Sequence, residues 1–82
     1  MELLERSTPL PLASTPRGVT VLALHSHLSR VTRPDGVVLG YVEVVDSADG
    51  ERFRSKRLRA RAQGFLVVGE FWSADEAIES LR

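Results

Sequence analysis

Five arginines recur within a short stretch of this 82-residue chain, at Arg52, Arg54, Arg57, Arg59 and Arg61. A guanidinium group presents a planar fork of N–H donors that matches phosphate oxygens and the major-groove edge of guanine. Side chains two residues apart on a β-strand point to the same face, and a two-stranded ribbon fits the major groove. The stretch therefore predicts a basic sheet surface that contacts double-stranded DNA.

The apolar residues of the same stretch do not follow a single alternation. Phe53 occupies an odd position, whereas Leu58, Ala60 and Ala62 occupy even positions. Because side chains alternate with period two along a strand, one extra residue is needed between them. A β-bulge near Ser55 would supply it, and a loop there would have the same effect. The apolar residues would then share the core face, and the arginines would share the solvent face.

Acidic residues nearby support a second interpretation of the arginines. Glu43, Asp46 and Glu70 lie on the neighbouring predicted strands and could pair with them across the sheet. Charges on a strand also discourage edge-to-edge aggregation. If the last three arginines paired with Glu43 and Glu70, the DNA interpretation would fail.

Trp72 is the single tryptophan of the chain and the other candidate binding residue. Alternation places it opposite Phe71 and therefore beside the arginines. An indole there could stack on a base or anchor a protein partner. It could instead pack against Ala77 as a hydrophobic staple, with leucines of the N-terminal segment covering the rest.

The remaining residue types argue against catalysis and cofactor binding. The absence of cysteine excludes disulfides and thiolate chemistry. His25 and His27 could face one way on a strand, but two imidazoles are fewer ligands than a zinc site needs. No nucleophile motif or glycine-rich phosphate loop is present. We therefore expect a non-enzymatic protein without a metal or cofactor.

The elements that would position these residues form an antiparallel meander. Turn residues at 33–36, 46–50 and 63–64 separate strands predicted at 37–45, 51–62 and 65–72. Gly40 within the first of these strands indicates a bulge or a close backbone approach. Residues 19–33 fit either a strand or a helix by spacing, and their β-branched start favours a strand.

A helix is predicted to follow the last strand. Ser73 and Glu76 form a capping box, and apolar side chains then recur at helical spacing on one stripe, at Ala74, Ala77, Ile78 and Leu81. The predicted fold is α+β, a three- to four-stranded antiparallel meander with one C-terminal helix packed on one face.

Composition divides the chain into an arm and a domain. Residues 1–18, rich in proline, serine and threonine, predict a flexible arm whose leucines could dock on a partner. Residues 19–82 form a single small domain. Eleven basic and eleven acidic residues balance, but the acids flank the arginine stretch, so we expect a polarised molecule. No apolar run is long enough for a bilayer and no signal layout is present, which favours a cytoplasmic protein without membrane contact.

The end of the chain resembles a known DNA-binding pattern. Residues 68–77, Val-Gly-Glu-Phe-Trp-Ser-Ala-Asp-Glu-Ala, resemble the last strand and helix of the plant ethylene-response-factor DNA-binding domain and of the arm-binding domains of phage tyrosine integrases. The resemblance implies three antiparallel strands that enter the major groove through basic and aromatic side chains. Arg57, Arg59 and Arg61 match the basic second strand, whereas Glu43 and Asp46 stand where those families carry basic residues.

Two functions are therefore predicted. The first is a small protein that binds nucleic acid through its arginine-rich sheet face. The alternative is a protein-interaction module or homodimer that uses Leu66, Val68 and Trp72, because one short helix cannot cover both sides of the last strand.

Overall fold

The computed structural model describes residues 9–25 and 27–82, except for the side chain of Ala62. The strands are β1 (Thr20–His25), β2 (Leu28–Thr32), β3 (Val38–Ser47), β4 (Gly50–Leu58) and β5 (Phe65–Phe71), and the helix is α1 (Ala74–Glu79). Each strand pairs antiparallel with the next, in the order β1-β2-β3-β4-β5. The α+β class with a C-terminal helix is confirmed, but the described sheet has five strands instead of three or four.

The additional strand comes from residues 19–33, which form the hairpin of β1 and β2. Val21 pairs with Val31 across this hairpin, and His25 pairs with Leu28 at its closed end. The sequence between His25 and Leu28 contains no glycine or proline, so the reversal carries none of the usual turn signals.

Helix α1 begins as the capping box predicts. Ser73 has extended backbone angles, and its hydroxyl accepts the amide of Glu76 at 3.1 Å. The predicted stripe is confirmed, because Ala74, Ala77, Ile78 and Leu81 are all buried. With only six residues, α1 depends on packing against β3, β4 and β5. Within the described residues, no helix has the length and apolar character to cross a membrane.

The core lies between α1 and one face of the sheet. Val31, Val42 and Phe53 contribute to it from β2, β3 and β4. Leu10 joins this core, and the Ala13 amide donates to Asp75 at 2.9 Å. This docking differs from the loosely held arm expected for residues 1–18, of which residues 1–8 lie outside the described part of the chain.

Gly40 is a point of close approach between the helix end and the sheet. A Cβ atom at this position would lie 2.4 Å from the Lys56 carbonyl oxygen and 2.7 Å from the Leu81 side chain. The β2–β3 register also shifts here, because Val31 pairs with Gly40 while the next residue of β2 pairs with Val38. Both features expected of Gly40 are therefore present.

The β-bulge predicted in β4 lies in β5 instead. The pairing of β4 with β3 is continuous, so β4 alternates without interruption. On its other side, Ser55 pairs with Gly69 and Lys56 pairs with Val67, which leaves Val68 as the extra residue.

The predicted common core face for the apolar residues of β4 is consequently wrong. Phe53 is buried, but Leu58 and Ala60 are exposed. Strand β4 ends at Leu58 instead of continuing to residue 62, and residues Ala60–Ala62 form a 3-10 turn. The short helix does not cover the sheet at this end, so these apolar side chains have no core to enter.

Candidate nucleic-acid interface

The five arginines do not share one face of the sheet. The continuous alternation of β4 puts Arg52 and Arg54 on the face opposite α1, here called the open face, together with Lys56. Arg57 lies on the helix side, and Arg59 and Arg61 lie beyond the end of the strand. The predicted single row of arginines is thus replaced by two separate groups, because the expected bulge is absent from β4.

The open-face cations are engaged by carboxylates of the neighbouring strands. Arg54 aligns with Glu43 on β3 and Glu70 on β5. Its guanidinium lies 2.7 Å from the Glu70 carboxylate and 3.6 Å from that of Glu43. Lys56 lies 3.1 Å from Glu43. Cross-strand neutralisation therefore accounts for this part of the surface, whereas Asp46 aligns with Glu51 and not with an arginine.

Trp72 lies at the end of β5 against Arg52. The Arg52 guanidinium carbon is 4.0 Å from the centroid of the indole ring, which is a cation–π contact. The indole is still 57% exposed, so neither Ala77 nor the N-terminal segment covers it. The expected closeness of Trp72 to the arginines holds for Arg52.

Arg57 has a structural role at the end of the helix. Its guanidinium donates to the carbonyl of Leu81 at 2.8 Å and to that of Leu39 at 3.3 Å. A cation is favourable beside carbonyls left unpaired at a helix C-terminus. Arg57 therefore joins the end of the α1 segment to β3, and only part of its surface faces solvent.

Arg59 and Arg61 are exposed in the loop between β4 and β5. The Arg59 amide donates to the Gly64 carbonyl at 2.8 Å and closes this loop. In the described part of the chain, no carboxylate forms an ion pair with Arg57, Arg59 or Arg61. The arrangement that would have excluded nucleic-acid binding is therefore not formed.

The backbone of Arg61 is left-handed, with φ 61° and ψ 35°. This conformation costs a residue with a Cβ atom roughly 1–2 kcal/mol. Non-glycine residues held in such conformations cluster at functional sites. Position 61 therefore carries a large cation where glycine would fit the backbone better.

An open groove of ≈ 570 Å³ lies beside this loop. Its polar lining includes the three guanidinium-bearing side chains of Arg57, Arg59 and Arg61 together with Tyr41. Val38 and Leu58 form apolar parts of its wall. Val38 and Tyr41 were not among the predicted site residues, because their proximity to the loop depends on the β3–β4 register.

The groove belongs to a larger basic end of the molecule. In a meander, the β2–β3 and β4–β5 turns lie at the same end, and the C-terminus of the chain returns there. Six arginines collect at this basic end: Arg17, Arg33, Arg57, Arg59, Arg61 and Arg82. Two of them are paired, Arg33 with Asp35 at 2.6 Å and Arg82 with Glu79 at 2.9 Å.

Acidic residues collect at the opposite end, here called the acidic end. The β3–β4 turn carries Asp46, Asp49 and Glu51. The N-terminus of α1 lies at this end too, because Phe71 at the close of β5 pairs with Phe53 near the start of β4, and it adds Asp75 and Glu76. The neutral chain is therefore polarised along the strand direction.

Asp35 organises the turn at the basic end. Its carboxylate accepts the Val37 amide at 3.0 Å and binds the Arg33 guanidinium. The Val37 hydrogen bond, followed by that of Arg33, holds the pKa of Asp35 below its ordinary value. The turn predicted around Asp35 is thus present, and its geometry favours the ionised carboxylate.

The two histidines lie at the hairpin of β1 and β2, far from the arginine groove in the sequence of strands. Both are exposed. Over residues 9–25 and 27–82, no group of three or more histidine and carboxylate side chains is placed to hold a metal ion.

Comparison with protein families, curated proteins and solved structures finds no match to this chain. The resemblance to ethylene-response-factor and integrase domains therefore stays a prediction.

Proposed function

We propose that the protein is a small, non-enzymatic nucleic-acid-binding module whose interface is the basic end and not the open face of the sheet. The observation that carries this proposal is the state of Arg59 and Arg61. Both are exposed, neither is paired with a carboxylate among the described residues, and both border the groove.

The groove combines the two kinds of contact that nucleic acids accept. Arg59 and Arg61 would meet phosphate oxygens with charge-assisted hydrogen bonds. The ring of Tyr41, beside Val38 and Leu58, offers an apolar surface on which a base could stack. Phosphate contacts carry no sequence information directly, so we expect binding that tolerates many sequences.

The open face is a poorer interface for phosphates. Its central cations, Arg54 and Lys56, already have Glu43 and Glu70 as partners. A phosphate placed there would have to displace a carboxylate and then lie beside it. Arg52 and Trp72 remain candidates only at the margin of this face, where their stacked side chains are accessible.

Fluorescence anisotropy with labelled duplex and single-stranded DNA at low salt tests the proposal. Arg59→Gln removes an unpaired cation of the basic end, and Arg54→Gln removes a paired cation of the open face, so both variants change the net charge equally. We expect Arg59→Gln to weaken binding severalfold and Arg54→Gln to leave it close to that of the wild type.

Two results would contradict the proposal. One is the absence of binding by the wild-type chain at low salt. The other is an equal weakening in the two variants, since that would indicate a bulk charge effect instead of a site. Circular dichroism of both variants establishes that each is folded.

A further inference from the structure

Strand β5 is an edge strand whose first half is uncovered. Phe65, Leu66, Val67 and Val68 are 47%, 52%, 51% and 39% exposed. The order of the described sheet leaves the outer side of β5 without a neighbouring strand. Natural edge strands usually carry lysine, proline or inward charges that prevent pairing with another chain. Over its seven residues, β5 has one charged side chain, Glu70.

Neither face of this half-strand is protected. Val67 aligns with Lys56 on the open face, and Leu66 aligns with Arg57 on the helix side. Both are about half exposed, because the six-residue α1 reaches only the later part of β5. Main-chain groups and apolar side chains are therefore available together over the same residues.

We propose that two copies of this chain pair through β5, antiparallel and about a twofold axis, to join their sheets into one. Such an interface is self-complementary, because each copy presents the same strand to the other. The bulge at Val68 limits regular pairing to the segment before it, Phe65 to Val67, where both faces are open. This proposal does not rest on nucleic-acid binding.

The polarity of the molecule favours a second copy as the occupant. Strand β5 begins at the basic end, after Arg59 and Arg61, and finishes at the acidic end, before Asp75 and Glu76. Antiparallel pairing sets each basic end beside the partner's acidic end. Opposite potentials across an interface favour association and fix its direction, whereas parallel pairing would bring like charges together.

Light scattering after size-exclusion chromatography, over a range of protein concentrations, tests this proposal. The wild-type mass is expected to rise from 9.1 kDa to twice that value. Val67→Lys introduces a charge at the proposed interface, and Leu22→Lys introduces the same charge on the other edge strand. The two sites are matched, since both side chains are apolar, lie on the open face in one cross-strand row and are about half exposed.

We expect Val67→Lys to keep the monomer mass over the whole concentration range and Leu22→Lys to dimerise as the wild type does. Leu66→Lys, on the opposite side of β5, is expected to behave as Val67→Lys. All three sites are exposed, so circular dichroism should show folded variants. A wild type that stays monomeric, a Leu22→Lys variant that fails to dimerise, or growth beyond a dimer would overturn the proposal.

Discussion

At the scale of single residues, Arg61 combines an unfavourable backbone with an unpaired charge. Glycine adopts its left-handed conformation without the steric cost that arginine bears. We therefore expect Arg61→Gly to raise the free energy of unfolding by about 1 kcal/mol while weakening nucleic-acid binding. Urea denaturation measures the first effect and anisotropy the second.

A decrease in stability in Arg61→Gly would show that the arginine side chain contributes to the fold. Arg61→Gln serves as the control for charge alone, because it retains a Cβ atom and hence the backbone cost. This variant is expected to bind nucleic acid more weakly without gaining stability.

Asp35 gives the stability of the β2–β3 turn a dependence on pH. Its pKa is lowered in the folded chain from the ordinary value of 3.8. The carboxylate therefore contributes stability at pH values above that ordinary pKa, and the contribution is lost as the pH falls through the folded-state pKa. We expect Asp35→Asn to be less stable than the wild type at pH 7, with the difference closing below pH 3.8.

Urea denaturation of both proteins at neutral and acidic pH measures this difference. A gap between the two midpoints that is the same at both pH values would contradict the role assigned to the charge of Asp35.

At the scale of elements, the packing of α1 on the sheet depends on Gly40. A methyl group there would meet the Lys56 carbonyl oxygen, a backbone atom that cannot move without disturbing the β3–β4 ladder. Overpacking of this kind costs about 1–3 kcal/mol. We expect Gly40→Ala to lower the free energy of unfolding by that amount, as measured by urea denaturation, and an unchanged midpoint would show that the helix end can shift.

The elements with explicit signals in the sequence were predictable. The turn at Asp35, strands β3 and β5 and the Ser73 cap each have residues whose local chemistry determines the structure. The hairpin of β1 and β2 was missed because the residues between His25 and Leu28 carry no turn signal, so two short strands resembled one segment.

The location of the bulge could not be read from the pattern of β4. The apolar character of Leu58 and Ala60 suggested a core face that the short helix does not provide. For the same reason, the candidate site was predicted by residue but not by arrangement. Arg59 and Arg61 lie in a loop because β4 ends earlier than its composition indicated.

At the scale of the whole molecule, the main property is the separation of charge in a chain that is neutral overall. Net charge alone argued against binding a polyanion. The antiparallel order of the strands concentrates the arginines at one end, however, and the acids at the other. The same polarity supports both proposals, since it offers a local field to phosphates and a direction to the pairing of two copies.

The salt dependence of DNA binding tests most directly whether the basic end is the interface. The double variant Arg59→Gln/Arg61→Gln is compared with Arg52→Gln/Arg54→Gln, which removes the same charge from the open face. For duplex DNA, the slope of log K against log salt concentration is expected to become less steep by about 0.9 for each phosphate that the first variant no longer neutralises, and to stay at the wild-type value in the second. A slope that changes only in the second variant would place the interface on the open face and contradict this account.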